Sequence, residues 1–258
     1  MNGHSDMLVL AAGFFIIATL YSSIGFGGGS SYLAILALFI PDFFEIKTVA
    51  LLCNITVVAG STLLYIRENY FRPKKFLPLV VCSIPAAFLG ATVNLKQSVF
   101  FIFLGAALVV SGLLLILQYF LQPTATQKEF SQSLTFNGAI GAGIGFLSGM
   151  VGIGGGIFLS PVLNLLRWDN AKIIAALASF FILVNSASGL LGQVYSGTFR
   201  ADLPLLGGLV LAVFAGGQLG ARWTLNKVKP EVIKTLTGCL VCYVGLRLVL
   251  TYSFGISI

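Results

Sequence analysis

The residues best suited to bind something here are glycines. Gly25-Phe26-Gly27-Gly28-Gly29-Ser30-Ser31 interrupts a strongly apolar run, and Gly152-Ile153-Gly154-Gly155-Gly156-Ile157 repeats the wording in the second half. A glycine-rich break strips the backbone of side chains and frees it from helical φ/ψ. A helix opening at such a break presents unpaired N–H groups and roughly half a positive charge. Gly27, Gly28, Gly29, Ser30 and Ser31, together with Gly154, Gly155 and Gly156, therefore read as two sets of donors suited to a small anion. Ser22, Ser23 and Ser148 could add hydroxyls. Close helix packing through small residues is the competing reading; two breaks in matching positions of two halves favour a transport site. Alanine at Gly28 or Gly155 should be mild where φ is negative and severe where it is positive. The first stretch is not a dinucleotide fingerprint, since the final glycine, the flanking strand and the acidic residue are all missing.

Asn54 and Asn185 are the next candidates, each in the third apolar segment of its half. An amide inside a membrane is costly unless it bonds, and it offers two donors and an acceptor. Ser61 follows Asn54 by two turns on the same face, and Ser188 and Gly189 follow Asn185. Ligand contact and helix–helix hydrogen bonding both fit this pair, and Gln193 and Gln218 are weaker candidates. Cys239 and Cys242 form a CxxC, which suggests a metal or redox pair; with no other cysteine near in sequence and His4 the only histidine, small buried cysteines are the favoured reading. Asp42, Glu45, Glu68, Asp169, Asp202 and Glu231 all fall in connectors, which gives no support to a carboxylate proton relay or cation site. Arg247 is the one charge well inside a segment and reads as snorkelling to the interface. No catalytic set, metal-ligand cluster or cofactor motif can be assembled.

The elements that must position these residues are membrane helices. Of 258 residues 57% are hydrophobic and 9% charged, with a mean hydropathy of +0.99; a soluble domain carries about 25% charged residues. The apolar runs do not alternate as barrel strands would. The net charge of +7 is gathered in short loops, as cytoplasmic loops are, and does not call for nucleic acid. Met1–Asp6 lacks the basic region of a secretory signal, so the first apolar segment is expected to stay in the mature protein. Segments run Met7–Ser23, Gly29–Ile40, Ile46–Ile66, Phe76–Leu95 and Ser98–Leu121, then Phe136–Met150, Gly156–Leu166, Ala171–Val194, Leu203–Thr224 and Val232–Tyr252. A first repeat (1–121), a cytoplasmic connector (122–135) and a second repeat (136–258) make one integral membrane domain.

The second segment of each half is too short to span, since a crossing helix takes about 20 residues. Each first-plus-second pair is thus one broken crossing or a hairpin. Arg67, Arg72, Lys74 and Lys75 mark one basic loop; Arg222, Lys227, Lys229 and Lys234 mark another. Both belong in the cytoplasm, which only the hairpin allows. The expected fold is an all-α polytopic membrane protein of two inverted-topology repeats of about five helical segments. Glycine-tipped hairpins meet near the midplane, and both termini lie on the periplasmic or extracellular side.

These residues resemble a known family. Gly25-Phe26-Gly27-Gly28-Gly29 and Gly152-Ile153-Gly154-Gly155-Gly156-Ile157-Phe158-Leu159-Ser160-Pro161 are similar to the two glycine signatures of the sulfite exporter TauE/SafE family. The first motif lacks the proline that Pro161 supplies in the second. The resemblance spans nearly the whole chain and implies a multi-pass inner-membrane permease for sulfur-containing anions such as sulfite, thiosulfate or organosulfonates. Its partners would be a small anion and the lipid bilayer, with no nucleic acid and no cofactor; a homo-oligomer is compatible with it. Alternating access is the expected mechanism, an anion channel on the same scaffold the alternative.

Overall fold

The computed structural model of the chain describes residues 4–23, 25–40, 42–93, 95–120, 133–166, 168–224 and 230–254. Residues 121–132, most of the connector between the halves, lie outside the described residues, as do Lys227 and Lys229 of the second basic loop. The described residues form ten helices and no strand: α1 (His4–Ser22), α2 (Gly29–Phe39), α3 (Phe43–Arg67), α4 (Pro73–Thr92), α5 (Gln97–Phe120), α6 (Leu134–Val151), α7 (Gly156–Leu165), α8 (Ala171–Tyr195), α9 (Leu203–Thr224) and α10 (Pro230–Phe254). Among them, α3, α4, α5, α6, α8 and α9 contain stretches long and apolar enough to cross a membrane; α2 and α7 have 11 and 10 residues.

Local chemistry explains several boundaries. Asp42 caps α3 by accepting from Phe44 N at 3.0 Å, and Asn170 caps α8 by accepting from Ile173 N at 3.0 Å. Pro73 and Pro230 open α4 and α10, where a missing N–H costs nothing. Leu77, Val81, Phe103, Val110, Leu191, Leu211 and Phe214 point outward from the bundle, a surface suited to lipid and not to water. Cys82 and Cys239 lie on this outer surface, Cys242 is half-buried and Cys53 is buried; all four are free. The expectation of buried cysteines is therefore corrected for Cys82 and Cys239, which lie on the apolar outer face of the bundle. Among the described residues, no cluster of metal-ligating side chains exists.

The packing has a two-fold logic. α1 lies on α9 and α4 on α6; α3 meets both α8 and α9, and α8 meets both α3 and α4; α5 pairs with α10. Exchanging α1–α5 with α6–α10 maps this set of contacts onto itself. Glycines set helix direction and distance. Gly141, Gly145 and Gly149 of α6 lie against Leu79, Ser83 and Ala87 of α4, so these two helices run parallel. Gly216 and Gly220 of α9 lie against Phe15 and Thr19 of α1, again parallel. Gly105 faces Gly245 while Gly112 faces Gly238, which makes α5 and α10 antiparallel. α2 folds back along α1, with the Tyr32 ring stacked on Phe14 at 4.4 Å between centroids. The hydrophobic core extends from Phe14, Leu33 and Val49 to Phe100 and Leu209, with a second cluster of Phe76, Leu163, Trp168 and Phe181 between α4, α7 and α8.

Candidate functional site

Two helix N-termini are buried without a side-chain cap. Gly28 precedes α2 with φ 90° and Gly155 precedes α7 with φ 87°, both left-handed, and neither helix has a capping side chain. Only glycine adopts that region at little cost. The contrast is with α3 and α8, whose N-termini are capped. A buried helix end without a cap leaves donors that a ligand can use. Gly25 and Gly152 also have positive φ, as does Gly154.

Both breaks converge on Asn54 in the middle of α3. Its amide lies against Gly27 and Gly29, and a β-carbon on either would overlap it. Its Nδ2 donates to Ile153 O of the second break at 2.8 Å, and lies beside Gly154. Oδ1 of this fully buried residue has no partner. Gly27 and Gly29 are therefore closed to a β-carbon by space, without any left-handed φ. Gly156 is similar, with Ile182 in the position a β-carbon would take.

Asn185 is placed differently. Its Nδ2 donates to Phe181 O of its own helix at 2.9 Å, and its Oδ1 is buried and unpaired. The side chains nearest Gly154 are Ile182, Ser186 and Asn54. Matching the halves by residue type pairs Asn54 with Asn185, but matching them by contacts does not. In the contact register Asp42 pairs with Asn170, Lys47 with Ala175, Asn54 with Ile182 and Val58 with Ser186. Asn185 then falls opposite Val57, nearly a full turn away from the role its type suggested.

The hydroxyls divide unevenly. Ser31 Oγ and Tyr21 Oη are 2.7 Å apart, Ser22 and Ser23 bond carbonyls of their own helix, and Ser30 is buried. Ser179 Oγ of α8 donates to Gly25 O at 2.9 Å, tying the first break to the opposite half. Around the second break, Ser148 and Ser186 are buried with unpaired Oγ atoms. Ser148 lies against Gly155 and Ser186 against Gly154. Lys47 lies against Gly152 and is 4% exposed.

Lys47 and Ser186 escaped the reading by residue type. Lys47 is the second residue of its apolar segment and looked like an end; the structure buries it, whereas Arg247 is only half-buried. A signal existed, because Lys47, Asn54 and Ser61 are spaced by sevens and therefore share a helix face. All three are buried.

The family profile described as "Sulfite exporter TauE/SafE" matches residues 9–248. The chain belongs to the sulfite exporter TauE/SafE family. It is 31% identical over 246 residues to "Probable membrane transporter protein y4hK" of Sinorhizobium fredii (strain NBRC 101917 / NGR234), covering 95% of this chain and 98% of that one. It is 26% identical over 266 residues to "Probable membrane transporter protein YunE" of Bacillus subtilis (strain 168), covering 91% and 94%. No solved structure matches significantly. As a TauE/SafE member the chain is a multi-pass membrane transporter, and residues of its two glycine breaks meet at Asn54 of α3.

Proposed function

We propose that this TauE/SafE transporter moves a small sulfur-containing anion, such as sulfite, thiosulfate or an organosulfonate, by alternating access. The anion is held where the glycine-opened N-termini of α2 and α7 approach Asn54, and is not chemically converted. The observation that carries this reading is the convergence of two buried, uncapped helix N-termini on one side chain. In the same reading Gly27–Ser31, Asn54, Gly154–Gly156 and Asn185 line or support the substrate path. Asn185 is the weakest member, since its amide bonds its own helix.

The two repeats, 1–121 and 136–258, insert with opposite orientation in the inner membrane and leave both termini outside. The antiparallel pairing of α5 with α10, each the fifth helix of its half, supports that inversion. An inside-negative potential favours anion export by about 2.3 kcal/mol per charge per 100 mV, so export needs no built-in motor.

Purified protein in proteoliposomes, assayed for flux of sulfite, sulfate, thiosulfate and methanesulfonate, tests this. Saturable flux of one sulfur-containing anion, with counterflow of that anion against its gradient, is the expected result. Flux without counterflow would instead make the protein a channel. Absence of flux for all four anions would refute the substrate class.

A further inference from the structure

We propose that the second break, residues 152–155, carries the charge-binding half of the anion site, with Lys47 as the counter-ion and Ser148 and Ser186 as hydroxyl donors. This deepens the anion-carrying reading above and rests on it. Four observations meet on one short loop. The Lys47 side chain lies along Gly152, its Cε 3.4 Å from where a β-carbon would stand. Asn54 occupies the Ile153 carbonyl at 2.8 Å, so this acceptor, which would repel an anion, is already satisfied. A β-carbon on Gly154 would stand 2.7 Å from Ser186 Oγ, and one on Gly155 would stand 3.2 Å from Ser148 Oγ. Both hydroxyls are buried and unpaired, and both border the uncapped N-terminus of α7.

The lysine decides the sign of the ligand. Among the described residues the ion pairs are Lys75–Asp169 and Arg200–Asp42, and none of the described carboxylates pairs with Lys47. Glu45 is two residues away on the same helix, a spacing at which side chains do not face each other. The contact that Lys47 does make is with the Phe100 ring, its Nζ 5.7 Å from the centroid. The residue is 4% exposed, with its stem packed along Gly152, so its ammonium has little water to snorkel into. A buried charge without a partner is costly, and in a membrane protein it marks an ion pathway by default. The missing partner is the substrate anion.

The first break lacks this arrangement. Ala175 stands where Lys47 stands in the other half, and Ser31 is engaged with Tyr21. Tyr32 Oη beside Gly28 is unpaired too, yet none of the side chains nearest the first break is a cation. Sequence symmetry between the two glycine motifs therefore conceals a functional asymmetry. Both N-termini offer dipoles, and one of them offers a full charge.

The test uses the full chain in detergent, with melting followed as sodium sulfite or sodium thiosulfate is titrated against sodium chloride of equal ionic strength. Wild type should show a saturable rise with at least one of these anions. Lys47→Met should raise the half-saturating concentration about tenfold or more, the factor for one lost charge-assisted contact of about 1.4 kcal/mol. Without anion it should melt at or above wild type, because an uncompensated buried charge has been removed. A purely structural lysine would lower that anion-free melting point and leave half-saturation alone, and this result would overturn the proposal. Ser148→Ala/Ser186→Ala should weaken the anion response, while Ser111→Ala, which deletes a buried unpaired hydroxyl on α5, should not. If Lys47→Met does not fold, an unchanged half-saturation in the double serine variant overturns the proposal by itself. A wild-type protein that neither shifts with these anions nor transports them refutes the underlying function. A wild-type response retained in full by Lys47→Met refutes only the site.

Discussion

At Asn54 one amide links the two halves of the molecule. Its Nδ2 holds the Ile153 carbonyl while the same group lies on Gly27 and Gly29. Asn54→Leu is therefore expected to lower stability as well as transport, since a buried carbonyl left unpaired costs about 1–3 kcal/mol. Asn185→Leu should be milder, because the Phe181 carbonyl it serves belongs to its own helix. Melting points of the two variants, compared with their uptake rates, check this ordering. The glycines divide by mechanism in the same way. Gly28→Ala and Gly155→Ala force a β-carbon into left-handed backbone, at about 1–2 kcal/mol each, whatever their neighbours do. Gly29→Ala suffers from the Asn54 amide instead. Adding Asn54→Ala should recover part of the melting-point loss of Gly29→Ala and none of that of Gly155→Ala. No recovery at Gly29→Ala would show that the Asn54 amide does not set the cost there.

At the scale of helices, the pairs α4–α6, α1–α9 and α5–α10 are set by glycine faces that let backbones approach. Gly149 packs on the Ala87 carbonyl so closely that a β-carbon would overlap it. Gly149→Leu should thus separate α6 from α4, and overpacking of this kind costs about 1–3 kcal/mol or more. The expected readout is a lowered melting point together with loss of a monodisperse peak in size-exclusion chromatography. A leucine variant as stable as wild type would mean that α4 and α6 are less closely apposed. α2 and α7 behave otherwise: they are short, and their N-termini are held by contacts with α3 and α8. In the proposed function they deliver N–H groups to the interior.

For the whole molecule, the helix directions bear on topology. α3 begins beside α8's end, with Thr48 Oγ1 donating to Gln193 Oε1 at 2.6 Å, so the third helices of the two halves are antiparallel. The fifth helices are antiparallel as well. On a background without Cys53, Cys82, Cys239 and Cys242, single cysteines at Ser5 and Ser253 should react with an impermeant reagent from outside. Single cysteines at Asn69 and Thr224 should react only after the inner face is exposed. An N-terminus labelled from the inside would break the inverted arrangement, and with it the placement of both basic loops in the cytoplasm.

The sequence by itself determined the membrane class, the all-helical fold, and the ends of most helices to within a few residues. Those features are written in composition, apolar length, capping residues and glycine breaks, all of which act locally. The family was legible as well, because its signatures are the same breaks. Tertiary structure alone decided which side chains meet the breaks. Asn54 and Asn185 look equivalent as letters, yet Ile182 and Ser186 take the facing positions in the second half, because the rotation of α8 against α7 is a packing outcome. Lys47 looked like the edge of a segment, and became a buried cation only when α6 and its loop were laid along it. Periodicity reports which residues share a face of a helix; it carries no information about which neighbour that face will meet.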